Sequence, residues 1–391
     1  MKVLLLYEYP PPPGGLATQG DLLYRGLREI GVDACATHLT SDREKEWYYR
    51  WFKPDVVVGI GYWGHTPDIV LHPLQFGLLP VPWLVADGYI ADYQDVLNSL
   101  PLKLVTSNWV KEVYVRDGIV GETIEVLPVG CDTDYFCPHD PKQSKVAFIR
   151  EMLGISPEQI MILTVGGDAA SKGSQEVMKA LACYNDKYKA QYTSRTQGKH
   201  RWKYICKVWP QERTFRQNKL DLALAQELGI DDQVFYWVER DSRDIMPFII
   251  AACDIYAAPS RLEGFGMPQV EAGACGKPVI SMAAMAMLDT LVHGKTALLA
   301  RIGVENKVYE ANLDFEDHPE LNRKVTFDPP RIADYRANIQ DLCQYFEELI
   351  ESDELRQSLG SAARKFVVDH FDYRVVARRF TEIISQRLGI Q

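Results

Sequence analysis

Glu263 and Glu271 stand eight positions apart, on either side of Gly264-Phe265-Gly266-Met267-Pro268. The apolar run from Asp254 to Ala258 reads as a buried strand that ends at Pro259. Gly264 and Gly266 let the backbone approach a ligand closely, and Pro268 suits the first position of a helix that Val270 and Ala272 continue. The amides of residues 264 to 267 would then point outward at a helix N-terminus, where unpaired donors and the helix dipole favour a phosphate. One carboxylate can reach one side of such a ligand and the other a second part, such as a ribose diol. The alternative is an ordinary strand-turn-helix with Glu271 complementing the dipole. It leaves Glu263, held ahead of a Gly-rich turn, without a purpose.

These residues need a scaffold. A chain of 391 residues can hold two domains with a core each. Its 53 acidic against 43 basic residues argue against a general nucleic-acid binder. The eight cysteines are scattered without a C-x-x-C pair and read as buried thiols of a reducing compartment. The apolar run of residues 3 to 6 is too short for a signal peptide, and no transmembrane segment is evident, so a cytoplasmic protein is expected.

Strands and helices alternate along the chain, which implies an α/β architecture. Val3 to Tyr7 reads as a strand buried on both faces. Gly14-Gly15 follows, then a helix through Leu22, Leu23, Leu27 and Ile30. By itself this strand, Gly-rich turn and helix is a weak phosphate signal. Asp55 to Ile60 and Trp83 to Ala86 are further strands, leading into Gly61-Tyr62-Trp63-Gly64-His65 and Asp87-Gly88-Tyr89. Ligands of open parallel sheets bind outside the carboxyl ends of the strands, so both loops are acceptor-side candidates.

The stretch from Pro259 to Ala272 resembles the E-x7-E signature of family 4 of the retaining glycosyltransferases, and similar landmarks recur along nearly the whole chain. The resemblance implies the GT-B fold: two Rossmann-like doubly wound domains facing across a cleft, the C-terminal helix crossing back to the first. The expected division is 1–144 with helix 374–391 for the first domain and 145–373 for the second. The implied activity moves a sugar, with retention, from a nucleotide-sugar donor to a carbohydrate or other hydroxyl acceptor. The donor is a substrate, no cofactor is implied, and the linker segment Asp132-Thr133-Asp134 is not read as a metal motif.

In that framework Glu263 holds a hydroxyl of the donor sugar and Glu271 the ribose diol. The loop at Gly14 and Gly15 approaches the donor phosphate, and Val238 lies where the base is held by backbone bonds. The family's Val-Gly-Arg, followed five residues later by Lys, supplies two cations to the pyrophosphate. Lys172 matches the lysine, but Gly167 stands in the arginine's place. Arg261 is the nearest substitute, since residues i and i+2 of an extended segment share a side; capping the strand or pairing with an acid is its alternative. The family's histidine facing the donor sugar is also missing, leaving Asp87, or His65 from the neighbouring loop. Met285 and Ala286 replace glycines near the donor sugar. Residues 184 to 203 read as a solvated basic loop, and residues 303 to 327 as an insertion, hairpin-like and without an assigned role. Two rival functions remain, a GT-B isomerase or phosphorylase and a catalytically silent sugar-nucleotide binder.

Overall fold

The computed structural model describes residues 1–86, 88–140, 143–192, 200–313 and 322–391, the side chains of 189–192 and 213 excepted. The chain groups into two compact units, Met1–Asp132 with Asn306–Asp334 and His370–Gln391, and Thr133–Glu305 with Tyr335–Asp369.

The first unit holds β1 (Lys2–Tyr7), β2 (Asp33–His38), β3 (Val56–Tyr62), β4 (Trp83–Val85), β5 (Lys103–Val105) and β6 (Ile124–Val126). They form one parallel sheet in the order β2-β1-β3-β4-β5-β6. Val3 to Tyr7 have no exposed surface, as the continuous apolar run requires of a strand covered on both faces.

The second unit holds β7 (Ile160–Val165), β8 (Trp202–Val208), β9 (Val234–Val238), β10 (Ile255–Ala257), β11 (Val279–Met282) and β12 (Ala297–Ala300). Its parallel sheet runs β12-β11-β10-β7-β8-β9. Asp221, fully buried, ties its elements together. It accepts from Ser174 Oγ at 3.0 Å, Gln175 Nε2 at 2.8 Å, Gln217 Nε2 at 2.8 Å and Tyr236 Oη at 2.6 Å. A buried carboxylate is tolerable only when its lone pairs are so occupied.

β13 (Ile302–Leu313) and β14 (Arg323–Ala337) make a two-stranded ribbon. The expected insertion at 303 to 327 is therefore longer, although residues 314–321 lie outside the described part. Its outer portion groups with the first unit rather than the second.

The first division falls after Asp132 instead of 144, and the chain rejoins the first unit at His370. The helix Tyr373–Leu388 packs on the helix Gly15–Glu29. Gly26 allows that approach, because a Cβ there would lie 2.7 Å from the carbonyl oxygen of Tyr373 and 2.9 Å from Ala377 Cβ. Tyr373 Oη donates to Glu29 Oε1 at 2.6 Å, and its ring lies 5.0 Å from the Arg25 guanidinium. Gly26→Ala should cost about 1–3 kcal/mol, the scale of overpacking a tight contact. A lowered urea midpoint checks it, with Gly31→Ala as no match because that glycine has φ +87° and open space around it.

Candidate functional site

Each sheet has one place where the chain reverses its direction of growth, and there the loops on either side splay apart and leave a crevice. In the second unit that place is between β7 and β10. The loop after β7 carries Gly166 to Lys172, and the loop after β10 carries Pro259 to Gly266.

Lys172 and Glu263 meet across this crevice. Lys172 Nζ lies 2.6 Å from Glu263 Oε2, with side-chain exposures of 18% and 14%. The other carboxylate oxygen, Oε1, accepts from the Gly266 amide at 3.1 Å. The Lys172 stem passes over Gly166, where a Cβ would stand 2.8 Å from Lys172 Cγ. Gly173, at φ +82°, then turns the chain into the helix Ser174–Tyr192, and Arg261 N donates to Ser171 O at 2.9 Å, closing one loop on the other. An ammonium bonded to one carboxylate oxygen keeps further N–H donors for an anion, and a carboxylate with two bonds keeps lone pairs for hydroxyl groups.

Gly266 caps the helix Met267–Ala274 at φ +89°, and a Cβ there would lie 2.3 Å from Met287 Cε. The positive φ favours glycine, and a side chain would also displace the Met287 tip. Glu271 rides on this helix. Its surface is partly open, yet the surrounding protein strips enough water to push its carboxyl up to about 7, against a downward pull from Arg243. The carboxylate has no hydrogen bond or ion pair within the chain among the described residues. Glu263 thus has a counter-charge, while Glu271 has a vacant set of acceptors.

Arg261 takes the second of its two expected roles, pairing with an acid rather than facing the crevice as a substitute cation. Its Nη2 bonds Glu176 Oε1 at 3.2 Å and Oε2 at 3.1 Å, its Nε reaches Oε2 at 3.3 Å, and Nη2 also meets Gln175 Oε1 at 2.9 Å. Arg336 Nη1 bonds the same Glu176 Oε1 at 3.1 Å. Glu176 is 5% exposed, so the carboxylate requires these cations, and the guanidinium of Arg261 is committed to it. Neither Glu176 nor Arg336 was visible as a site residue, because each lies far along the chain from the loop it supports. Gly167 has open space where a Cβ would stand, while its carbonyl accepts from Trp209 N and Thr214 Oγ1.

The remaining expected residues sit as follows. Val238 ends β9, and next to it Glu239 O accepts from Lys207 Nζ at 2.7 Å. Trp237 is buried, as a packing residue should be. Phe265 is buried and Gly264 and Met267 are partly open. Met285, where a glycine was expected, takes φ +54° and accepts the Glu263 amide on its sulfur at 3.3 Å. In the first unit Gly14 and Gly15 are exposed, with open space at both Cβ positions, at the uncapped N-terminus of the helix Gly15–Glu29. Their loop and that of His65 flank the first unit's own reversal, between β1 and β3. Burial pulls the His65 pKa down, and its Nδ1 lies without a partner against Gly61. Asp87 lies outside the described residues, as do residues 193–199 of the basic stretch; the rest of that stretch is not the expected loop, because residues 184–192 continue the helix Ser174–Tyr192 and Trp202 and Lys203 begin β8. Asp132 pairs with Arg25 at 2.7 Å.

The fold is that of the GT-B glycosyltransferases. It matches a glycosyltransferase from Rickettsia africae with a TM-score of 0.73 at 15% identity, covering 100% of this chain and 99% of that one. It also matches the Anabaena protein HepE, solved in complex with UDP-glucose, with a TM-score of 0.70 at 15% identity over 99% and 100% of the two chains. Residues 146–326 match the family model described as glycosyl transferases group 1. That segment is a little under half of the chain. A D-inositol 3-phosphate glycosyltransferase of Xylanimonas cellulosilytica is 30% identical over 287 residues, 72% of this chain and 63% of the relative. Across this and two further relatives of the same description, the matched segments span 30% to 63% of the relative's length.

Arg261→Met should cost about 3 kcal/mol of stability, the lower end for breaking a buried ion pair. Chemical denaturation reads this loss, and nucleotide affinity of the folded protein should change less than in Lys172→Ala.

Proposed function

We propose that the protein transfers a sugar, with retention, from a nucleotide-sugar donor to a hydroxyl acceptor. The observation that carries this reading is the Lys172–Glu263 pair beside a helix N-terminus, with the unpartnered Glu271 one helix turn further on. The bond from the anomeric carbon to the donor phosphate breaks, and its electron pair leaves on that phosphate. Lys172 and the N-terminal amides of the helix Met267–Ala274 face the developing charge, where fixed donors are most effective. Glu263 orients the ammonium and offers its remaining lone pairs to a sugar hydroxyl. Glu271 accepts from the ribose diol. The acceptor oxygen bonds the anomeric carbon on the face the phosphate leaves, and its proton passes to the departing phosphate oxygen, so the step needs neither a separate base nor a metal.

The relatives' name supplies one acceptor to try, an inositol phosphate, and HepE one donor, UDP-glucose. Incubating the protein with UDP-, GDP- and ADP-glucose, with and without acceptors, and reading the product by NMR tests the proposal. A product of unchanged anomeric configuration supports it. Inversion, or release of free sugar or sugar phosphate alone, overturns it.

The two glutamates divide the labour. Glu271→Ala should weaken the bare nucleoside diphosphate about tenfold or more, the scale of a lost hydrogen bond to a charged group. Glu263→Ala should leave that affinity nearly unchanged and, like Lys172→Ala, lower kcat by roughly 10²-fold. Calorimetry and turnover on these variants separate the roles.

Glu271 also sets a pH dependence. Its folded pKa is raised to about 7, so the folded state holds a proton that the unfolded state has already released. Stability from this group is present at acid pH and falls as pH rises through about 7. Diol binding runs the opposite way, because the ionised carboxylate is the stronger acceptor. Affinity for UDP-glucose, whose diphosphate does not titrate in this range, should therefore decline below pH about 7. Glu271→Gln should flatten the profile measured by calorimetry.

A further inference from the structure

The outer part of the β13–β14 ribbon grips one loop of the first unit. Leu313 is buried in that unit's core, and Val325 packs against the same cluster. The Phe327 ring centroid lies 4.8 Å from that of Tyr89, with the planes at 50°. The Arg331 guanidinium stands 5.4 Å from the Phe327 centroid, and Arg331 Nη2 is 2.9 Å from Asp117 Oδ1. This pair is buried, with side-chain exposures of 14% and 2%. Arg323 pairs with Asp92.

Asp117 is the relay to the loop backbone. Its Oδ2 accepts from Ile90 N at 2.7 Å and from Arg116 Nη2 at 2.7 Å, and Arg116 Nη2 donates to Gly88 O at 2.7 Å. The segment 88–93 is therefore held at Gly88, Tyr89, Ile90 and Asp92. The ribbon supplies two of those contacts directly and steadies the carboxylate behind the other two.

Ile90 is also buried in the unit's core, with Tyr89, Ala91 and Tyr93 packed against it, so the ribbon acts on a segment whose apolar side is already seated. This segment follows a strand of only three residues, and Tyr93 takes the left-handed φ of +65°. It also leaves the carboxyl end of β4, next to the β3 strand whose loop carries His65, on the edge where parallel sheets take ligands. We propose that the ribbon sets the conformation of residues 88–93 and thereby selects the hydroxyl acceptor, with Phe327 and Arg331 as positioning residues. This rests on the glycosyltransferase reading, in which the first unit receives the acceptor.

The test uses the full chain with Phe327→Ala, Arg331→Ala and the conservative Arg331→Lys. Hydrogen exchange at residues 88–93, UDP binding by calorimetry, and the distribution of products from UDP-glucose over water, glucose and myo-inositol 3-phosphate are measured for each. The two alanine variants should raise exchange at 88–93 about tenfold or more and shift the product distribution at least about fivefold, a loss on the scale of one weakened contact. UDP affinity should stay within about twofold, as expected for sites that share no partners. Arg331→Lys should restore both effects in part. Unchanged exchange at 88–93 overturns the inference, and so does raised exchange with an unaltered product distribution. If the wild-type protein consumes no UDP-glucose, the glycosyltransferase reading with that donor is what fails. The exchange data then still decide whether the ribbon holds the loop. Should Arg331→Ala not fold, Phe327→Ala, which removes no charge, carries the same measurements.

Discussion

The Lys172–Glu263 ion pair joins two loops that leave neighbouring strands on opposite sides of the chain reversal. An ammonium and a carboxylate this little exposed must find each other or pay heavily for lost water, so the pair fixes how the loops face. The surrounding glycines and sulfur follow from it. Gly166 makes room for the lysine stem, Gly173 turns the chain behind it, and Met285 is held in a left-handed conformation with its sulfur on the Glu263 amide. Further back, Asp221 anchors Ser174 and Gln175 at the start of the helix that follows Lys172. Glu176, one residue on, takes Arg261 from the other loop. The crevice is thus braced by ionic contacts at two depths.

The two glutamates of one short motif end in opposite surroundings. Glu263 meets a lysine and an amide, whereas Glu271 is stripped of water and, among the described residues, makes no direct hydrogen bond or ion pair, feeling only the weaker pull of Arg243. A carboxylate that costs energy in the empty protein is compensated when a ligand brings hydroxyl donors. The fold therefore stores at Glu271 a small penalty that binding relieves, while at Glu263 it keeps the charged groups ready in place.

Much of this was legible because local pattern and local structure agree. The Val3 to Tyr7 run could only be a doubly covered strand, and Gly266 before Met267-Pro268 could only begin a helix. The E-x7-E spacing placed both glutamates, and the spacing behind β7 placed Lys172. What escaped depends on contacts distant in sequence. For Arg261 the sequence left a phosphate contact and an acid partner both open, and could not name Glu176, which lies 85 residues away along the chain. The ribbon read as an insertion of the second domain because nothing in its own residues signals Tyr89, Asp92 or Asp117 as partners. Nothing around Gly26 in the sequence signals the close approach of the helix Tyr373–Leu388.

The way the chain returns to its first unit bears on how the protein is made. A ribosome releases residues in order, and N-terminal domains ordinarily fold first as they emerge. Here the first unit stays open until Asn306–Asp334 and His370–Gln391 have been synthesised, whereas the second has all its residues once Asp369 is out. The second unit is thus complete while the first still lacks the helix that covers Gly26. The side of the helix Gly15–Glu29 around Gly26 waits for its partner until residues 373–388 have been made, while its other side can already pack on β1 to β3.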